Sequence, residues 1–192
     1  MTHDHAPLIV VSGPAGVGKT TVVTRLLEAT DLSLRRAVTA TTRDARPGEV
    51  DGTDYHFWDE GEFRKAIDDG RMLEWAVVFG RDFYGTPRAE VDEFHARGVG
   101  VILVIDVQGA VRIRELLPND HLSVFIEPPS FDELEARLRG RQDMSEERVL
   151  RRLATARDEL AQADTFHHRI VNHDLSEAVR ELERVIRERF NN

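Results

Sequence analysis

The chain has 192 residues, of which 41% are hydrophobic and 32% are charged; this composition is typical of a globular protein with a sizeable core and not of a disordered one. Its formal net charge of −9 argues against a nucleic-acid backbone as the main partner, because such binding draws on a basic surface. The absence of cysteine excludes disulfides and thiolate metal sites, which fits a reducing cytoplasm.

The N-terminus carries no targeting signal that the sequence makes visible. Residues 1–7 are polar and lack a charged region followed by an apolar stretch, so we expect a disordered leader and not a signal peptide. No apolar run in the sequence approaches the length of a membrane span. A membrane is therefore not expected among the partners.

A phosphate-binding loop follows the first predicted strand. The β-branched run 8–12 indicates a buried strand, and residues 21–29 carry apolar side chains at helical spacing. Between them the pattern G-x-x-x-x-G-K-[ST] is complete, since Gly13, Gly18 and Lys19-Thr20 occupy its fixed positions. Glycines let several backbone N–H groups surround an anion, and the following helix adds its dipole. An ordinary glycine turn is the alternative interpretation.

This loop predicts a site for a nucleoside triphosphate. Lys19 is expected to neutralise β- and γ-phosphate oxygens, and Thr20 to offer its hydroxyl to Mg²⁺. The residues predicted to bind the triphosphate here are Gly13, Pro14, Ala15, Gly16, Val17, Gly18, Lys19, Thr20 and Thr21.

An insert with a different pattern follows at residues 38–87, and we expect it to be mostly β-structure. It contains an aromatic strand at 54–58, an amphipathic helix and a further strand at 71–79. Trp58 and Trp75 are expected in its core. Arg43 and Arg46 are predicted to bind a second phosphate through forked hydrogen bonds, with a hydroxyl from Tyr55. Taken alone, such a pair of arginines more often belongs to a solvated loop.

The remainder of the sequence alternates strands and helices. Buried strands are predicted at 99–106 and 121–127, and a capping box at 130–133 begins the next helix. A short run at 169–172 precedes a final amphipathic helix. This alternation predicts a parallel sheet covered on both sides. Residues 139–152 hold a polar loop with five arginines, which suits a mobile lid.

Taken in order, these motifs resemble those of bacterial guanylate kinases, from about Leu8 to the final helix. After the phosphate loop, the segments that carry the resemblance are Thr41-Thr42-Arg43-x-x-Arg46-x-Gly48-Glu49, Asp54-Tyr55, Leu73-Glu74-Trp75, Tyr84-Gly85-Thr86, Ile105-Asp106-Val-Gln108-Gly109, Pro128-Pro129-Ser130, Arg137-Leu-x-Gly-Arg141, Arg152-Leu153 and Val171-Asn172.

The resemblance implies an α/β P-loop kinase in which a parallel β-sheet core is flanked by helices. The core would comprise residues 8–37, 89–138 and 153–192, with a mixed α/β GMP-binding insert at 38–88 and a small helical lid at 139–152. Such an enzyme transfers the γ-phosphoryl group of MgATP to GMP, giving ADP and GDP, and we expect dGMP to serve as well. Hinges are expected near residues 37–38 with 86–89, and near 139–153. A homo-oligomer is one open possibility.

The resemblance also assigns residues. Arg141 and Arg152 are expected to meet the ATP phosphates from the lid, acting with Lys19 and Arg43 as the catalytic set, while Asn172 lies near the adenine and Arg137 completes the ATP site. Asp106 is expected to hold Mg²⁺ with Thr20, through water, or to contact the GMP side. The expected GMP-binding residues are Thr39, Arg43, Arg46, Tyr55, Glu74, Tyr84, Thr86 and Asp106.

The chemistry of Glu74 agrees with this assignment. A carboxylate only accepts hydrogen bonds, and guanine presents the adjacent N1–H and N2–H₂ donors. Adenine has an unprotonated N1 at that edge, so AMP is expected to be rejected. The alternative for Glu74 is an ion pair with a neighbouring arginine on a strand surface.

Three departures from the family pattern concern the site. The spacing between Glu74 and Tyr84 is one residue longer than usual, Val104 replaces an aspartate, and Gln142 stands where glycine is common. Two other functions compete with the main interpretation. One is a related kinase for ribose 1,5-bisphosphate, and the other is a guanylate-kinase-like module that binds phosphopeptides without catalysis.

Overall fold

The structure is a computed structural model that describes residues 6–78, 80–140 and 145–190. The predicted leader thus lies mostly outside the described residues, as do Arg141 and Gln142 of the predicted lid. In chain order, the strands are β1 Leu8–Ser12, β2 Leu34–Arg36, β3 Ala40–Thr41, β4 His56–Phe57, β5 Met72–Val78, β6 Asp82–Pro87, β7 Gly100–Val104, β8 His121–Glu127 and β9 His168–Val171.

The helices alternate with these strands along most of the chain. They are α1 Lys19–Ala29, α2 Glu60–Asp68, α3 Ala89–His95, α4 Val107–Leu116, α5 Phe131–Arg139, α6 Glu146–Leu160 and α7 Leu175–Phe190. None of the helices within the described ranges is both long and apolar enough to cross a bilayer.

A parallel sheet of five strands, in the order β2-β7-β1-β8-β9, forms the centre of the described chain. Every residue of β1 is buried, and its side chains alternate between two apolar clusters. Ile9 and Val11 pack in the cluster that contains residues of α1 and α7, whereas Leu8 and Val10 pack with residues of α3 and α4. The prediction of a parallel sheet covered on both sides is confirmed.

A second sheet, in the order β4-β3-β6-β5, is built from the insert. Helix α2 packs against it through Phe63, which is fully buried with its ring centroid 5.3 Å from that of Phe83. Trp58 and Trp75 pack against the same cluster, which confirms their predicted core role.

The elements that the sequence patterns did not predict include strands β2, β3 and β6 and helix α3. Strand β2 is short and carries two arginines, and α3 has only one buried residue, so neither shows a clear periodicity. Residues 146–152, which composition suggests as a polar loop and the family resemblance as part of a small helical lid, begin helix α6 after Ser145, whose hydroxyl accepts a hydrogen bond from the Arg148 backbone N–H. Buried side chains at 149, 153 and 156 hold this helix to the core.

Glu90 joins the two sheets at the place where the chain enters and leaves the insert. Its carboxylate accepts hydrogen bonds from the Arg35 side chain, at 2.7 Å, and from the Val38 backbone N–H, at 3.1 Å. The His56 ring on β4 lies 3.1 Å from its other oxygen. The insert is therefore fixed to the core sheet at the position of the first predicted hinge.

Candidate active site

The phosphate loop joins β1 to α1 and is held against the neighbouring strand β8. Gly13 has φ +139°, and a Cβ atom there would lie 2.2 Å from the Ile126 carbonyl oxygen, so only glycine fits. Gly18 precedes α1 with φ 101°, and no side chain caps this helix end. The first-turn N–H groups of α1 are thus left for an anion.

Lys19 lies along this loop. Its Nζ donates to the carbonyl oxygens of Gly13, at 2.5 Å, and Pro14, at 3.1 Å. These bonds hold the ammonium beside the loop before any ligand arrives. A phosphate bound by the loop would therefore meet a positive charge already in position.

Arg137 and Asn172 support the loop from the core side. The Asn172 side chain is buried and its Nδ2 donates to the Val17 carbonyl oxygen at 2.8 Å. Arg137 donates to the carbonyl oxygens of Asn172, at 3.1 Å, and Val17, at 3.4 Å. Both predicted ATP-site residues therefore contact the backbone of the phosphate loop.

The insert gathers its predicted phosphate ligands around Arg43. The Arg43 Nε donates to the Tyr84 hydroxyl at 3.1 Å, and its Cζ lies 5.4 Å from the Tyr55 ring centroid. The two tyrosine rings meet edge to face with centroids 6.0 Å apart. Burial raises the pKa of the Tyr55 phenol, so it stays a neutral donor. Arg46 is half-buried on the same loop.

Glu74 is buried on β5, with 4% of its surface exposed. Its Oε1 accepts a hydrogen bond from the Thr86 hydroxyl at 2.7 Å. Burial raises the pKa of Glu74 to about 7; the Thr86 hydrogen bond lowers it, and the Asp106 charge raises it. Glu74 is thus an acceptor with little access to water, in contact with another predicted GMP-site residue.

Asp106 follows β7 and caps α4. Its Oδ1 accepts a hydrogen bond from the Gly109 backbone N–H at 2.8 Å. Burial raises the pKa of Asp106, while the Gly109 bond and the charge of Lys19 lower it. The carboxylate thus lies in the field of the phosphate-loop lysine.

A cavity of about 290 Å³ lies between the phosphate loop and the insert. The loop, the β5–β6 hairpin and helices α4 and α6 supply its walls. The lining residues are Gly13, Ala15, Lys19, Val77, Val78, Gly80, Asp106, Gln108, Thr155 and Glu159. The phosphate loop and the tip of the β5–β6 hairpin therefore face one space, and Asp106 is the predicted acceptor-site residue that lines it.

Glu159 is a residue of this cavity that the sequence patterns did not reveal. Burial raises its pKa to about 7, while the charge of Lys19 lowers it. A hydrogen bond from the Ala15 backbone also lowers it, and the Asp106 charge raises it. A signal was present, since Glu159 continues the spacing of the buried residues Leu153 and Ala156 on α6. A carboxylate on a buried helix stripe is unusual and suggests a partner.

Among the described residues, the Arg43 cluster, Glu74 and several other predicted site residues do not line this cavity. Thr20 is exposed in the first turn of α1 and lines a shallow depression with Thr21 and Thr24. Thr39 is buried where the chain enters β3. Arg152 is half-buried on α6, and the placement of Arg141 falls outside the described residues.

A phosphate loop at the carboxyl end of a parallel sheet, together with an inserted sheet that carries an arginine–tyrosine cluster, is the arrangement of a phosphotransferase of the P-loop kinase class. The sequence model of the guanylate kinase family matches residues 5–189. The chain therefore belongs to the guanylate kinase family.

Individual relatives agree with this assignment. A guanylate kinase from Gluconobacter oxydans is 45% identical over 178 residues, which cover 93% of this chain and 85% of the relative. The crystal structure of guanylate kinase from Anaplasma phagocytophilum has a TM-score of 0.81 and 34% identity, covering 97% of this chain and 87% of that one. A gluconokinase from Sinorhizobium meliloti, 19% identical with a TM-score of 0.52 over 95% of this chain and 92% of its own, shows the fold alone.

Gly109 provides a test of the Glu74 site, because the backbone of α4 passes close to this carboxylate. A Cβ atom at Gly109 would lie 2.6 Å from Glu74 Oε2 and 3.2 Å from its Cδ. We expect Gly109→Ala to displace the carboxylate and to lower kcat/KM for GMP by about 10- to 100-fold. The matched control is Gly61→Ala on α2, where the nearest atom is Asp59 Oδ1 at 3.2 Å. An unchanged kcat/KM in Gly109→Ala would show that Glu74 does not depend on this close approach.

Proposed function

We propose that this chain transfers the γ-phosphoryl group of MgATP to GMP, and to dGMP, through the residues placed above. Membership of the guanylate kinase family supports the reaction. The observation that carries the residue assignment is the buried carboxylate of Glu74, which accepts a hydrogen bond from Thr86, two residues along β6 from the Tyr84 that contacts Arg43. Residues 38–88 would form the acceptor subdomain and residues 139–152 the lid.

Glu74 would read the base. Its two carboxylate oxygens match the N1–H and N2–H₂ donors of guanine, and Thr86 holds one of them in place. AMP offers a lone pair at N1 and no donor at C2, so the buried carboxylate would lose its partners. A mismatch of this kind discriminates by about 10⁴–10⁵. The burial of Glu74 would contribute to specificity for guanine as much as its negative charge.

The acceptor phosphate would lie at Arg43, Arg46, Tyr55 and Tyr84. Its oxygen is already ionised, so attack on the γ-phosphorus of ATP requires no general base. The new bond forms between that oxygen and the γ-phosphorus as the bond to the β-γ bridging oxygen breaks, leaving ADP. Lys19, Arg43 and the lid arginines Arg141 and Arg152 would offset the repulsion between the two anions.

Magnesium would enter with ATP. Thr20 and Asp106, through water, would supply the hard oxygen donors that Mg²⁺ prefers. Asp106 lines the cavity beside Lys19, whereas Thr20 lines a separate depression. Within the described parts of the chain no group of three or more His, Cys, Asp or Glu residues is arranged to hold a metal. This agrees with an ion held mainly by the nucleotide phosphates, whose charge it would neutralise when bound. The enzyme would work in the cytoplasm.

A substrate panel tests this proposal. ADP formation is measured with ATP and, in turn, GMP, dGMP, AMP or ribose 1,5-bisphosphate. We expect turnover with GMP and dGMP and at least about 10⁴-fold lower kcat/KM with AMP. Faster turnover with the sugar bisphosphate than with GMP would contradict the proposal, and binding without turnover would favour a non-catalytic module.

A further inference from the structure

The carboxylate of Glu49, three residues after Arg46, holds the Arg43 side chain. The Arg43 Nη2 donates to both carboxylate oxygens of Glu49, each at 2.9 Å. The pair is largely shielded, since the Arg43 side chain is 14% exposed and that of Glu49 is 18% exposed. A shielded ion pair in which both carboxylate oxygens contact one guanidinium nitrogen fixes orientation more strongly than a surface ion pair.

The rest of the guanidinium is fixed as well. The Arg43 Nε donates to the Tyr84 hydroxyl, and its Nη1 donates to the Asp44 carbonyl oxygen at 2.5 Å. All three nitrogens of the guanidinium therefore have a partner within the protein. Its plane and direction are set before any phosphate arrives, which reduces the entropy lost on binding.

Glu49 also fixes the backbone of the second arginine. Its Oε2 accepts a hydrogen bond from the Arg46 N–H at 2.7 Å, while the Glu49 N–H donates to the Arg46 carbonyl oxygen at 3.0 Å. A single carboxylate thus joins the side chain of Arg43 to the turn that carries Arg46. The relative position of the two arginines depends on it.

We propose that Glu49 is a positioning residue for the acceptor phosphate, holding Arg43 and the Arg46 turn in the arrangement that receives a phosphate dianion. The inference rests on the proposed function, because it takes Arg43 and Arg46 as the phosphate ligands. The negative charge of Glu49 repels the phosphate, so a residue that merely competed for Arg43 would weaken GMP binding. Positioning and competition therefore predict effects of opposite sign when the charge is removed.

The test is Glu49→Gln, which removes the charge and one Arg43 acceptor while leaving an oxygen for the turn. We expect KM for GMP to rise about tenfold, with KM for ATP within about twofold of the wild type. Glu93→Gln is the matched control, because Glu93 is exposed and forms a surface ion pair with Arg97. An unchanged or lower KM for GMP in Glu49→Gln would overturn the proposal.

Two further measurements separate positioning from a loss of fold. Guanosine lacks the phosphate, so its inhibition constant is expected to stay within about twofold in Glu49→Gln; an equal loss for guanosine and GMP would overturn the proposal. In an Arg43→Ala background, Glu49→Gln is expected to add less than about twofold to KM for GMP. If Arg43→Ala itself leaves KM unchanged, the proposed phosphate site is wrong; if only Glu49→Gln does, this inference alone fails.

Discussion

Replacing Lys19 by alanine is expected to lower kcat by about 10³-fold or more while leaving the affinity for GMP within about twofold. The Lys19 ammonium is held at the phosphate loop by the Gly13 and Pro14 carbonyl oxygens. Lys19 also lines the cavity between this loop and the tip of the insert. Without it, charge that develops on the transferring phosphoryl group loses a preorganised cation, an effect of about 10²–10³ for one donor and larger for a full charge. The proposed GMP ligands do not include Lys19, so GMP is expected to keep them.

Lys65 provides the control for this prediction. It is the only other lysine of the chain, is exposed on α2 and pairs with Asp69. Lys65→Ala is expected to behave as the wild type. The rate of ADP formation gives kcat, and calorimetric titration gives the GMP dissociation constant. A Lys19→Ala variant that keeps kcat within tenfold would rule out the role given to the loop.

Glu74→Gln is expected to lower kcat/KM for GMP by about 10²–10³-fold. The amide replaces one acceptor oxygen by an NH₂ group, which cannot accept a hydrogen bond from the guanine N–H donor that it faces. The remaining oxygen can still accept from Thr86. Folding is not expected to suffer, because burial penalises the charge of Glu74, as its raised pKa of about 7 shows. Thermal denaturation separates the two effects. A variant with unchanged preference for GMP over AMP would exclude Glu74 as the base-reading residue.

The pH profile gives the same residue a second, independent signature. Only the ionised Glu74 carboxylate accepts from both guanine donors, and its pKa in the free protein is about 7. Protonation below that value removes an acceptor, so kcat/KM for GMP is expected to fall about tenfold per pH unit below pH 7 and to level off above it. Glu74→Gln has no carboxyl group at this position, so its kcat/KM for GMP should not show this decrease. A pH dependence caused by the ionisation of GMP or of Glu159 should remain in both proteins.

The core of the fold could be predicted from local pattern because its elements are apolar on a regular period. Strands β1 and β8 have the bounds that the sequence patterns at 8–12 and 121–127 predict. Strand β2 could not be predicted, because its three residues, two of which are arginines, show no alternation of apolar and polar side chains. It exists through its pairing with β7, a contact between distant parts of the chain.

In the site, too, local motifs could be predicted and contacts between distant residues could not. The glycines and Lys19 of the phosphate loop lie within eight consecutive positions, so their joint role is visible in the sequence. Glu159 reaches Ala15 and Lys19 from a helix far along the chain, and Gly109 meets Glu74 only because α4 packs on β5. Pairings of this kind depend on tertiary structure. The local motif therefore showed the donor half of the site more completely than the parts that join it to the acceptor half.

A crystal structure of the protein with GMP, Mg²⁺ and a non-hydrolysable ATP analogue is the most direct test of the two-nucleotide site. We expect the guanine edge to donate to both Glu74 oxygens, the GMP phosphate to lie on Arg43 and Arg46, and Lys19 to contact the β- and γ-phosphates, with the insert and lid closed over the cavity. A guanine base bound away from Glu74, or the two nucleotides with their phosphates in separate pockets, would contradict it.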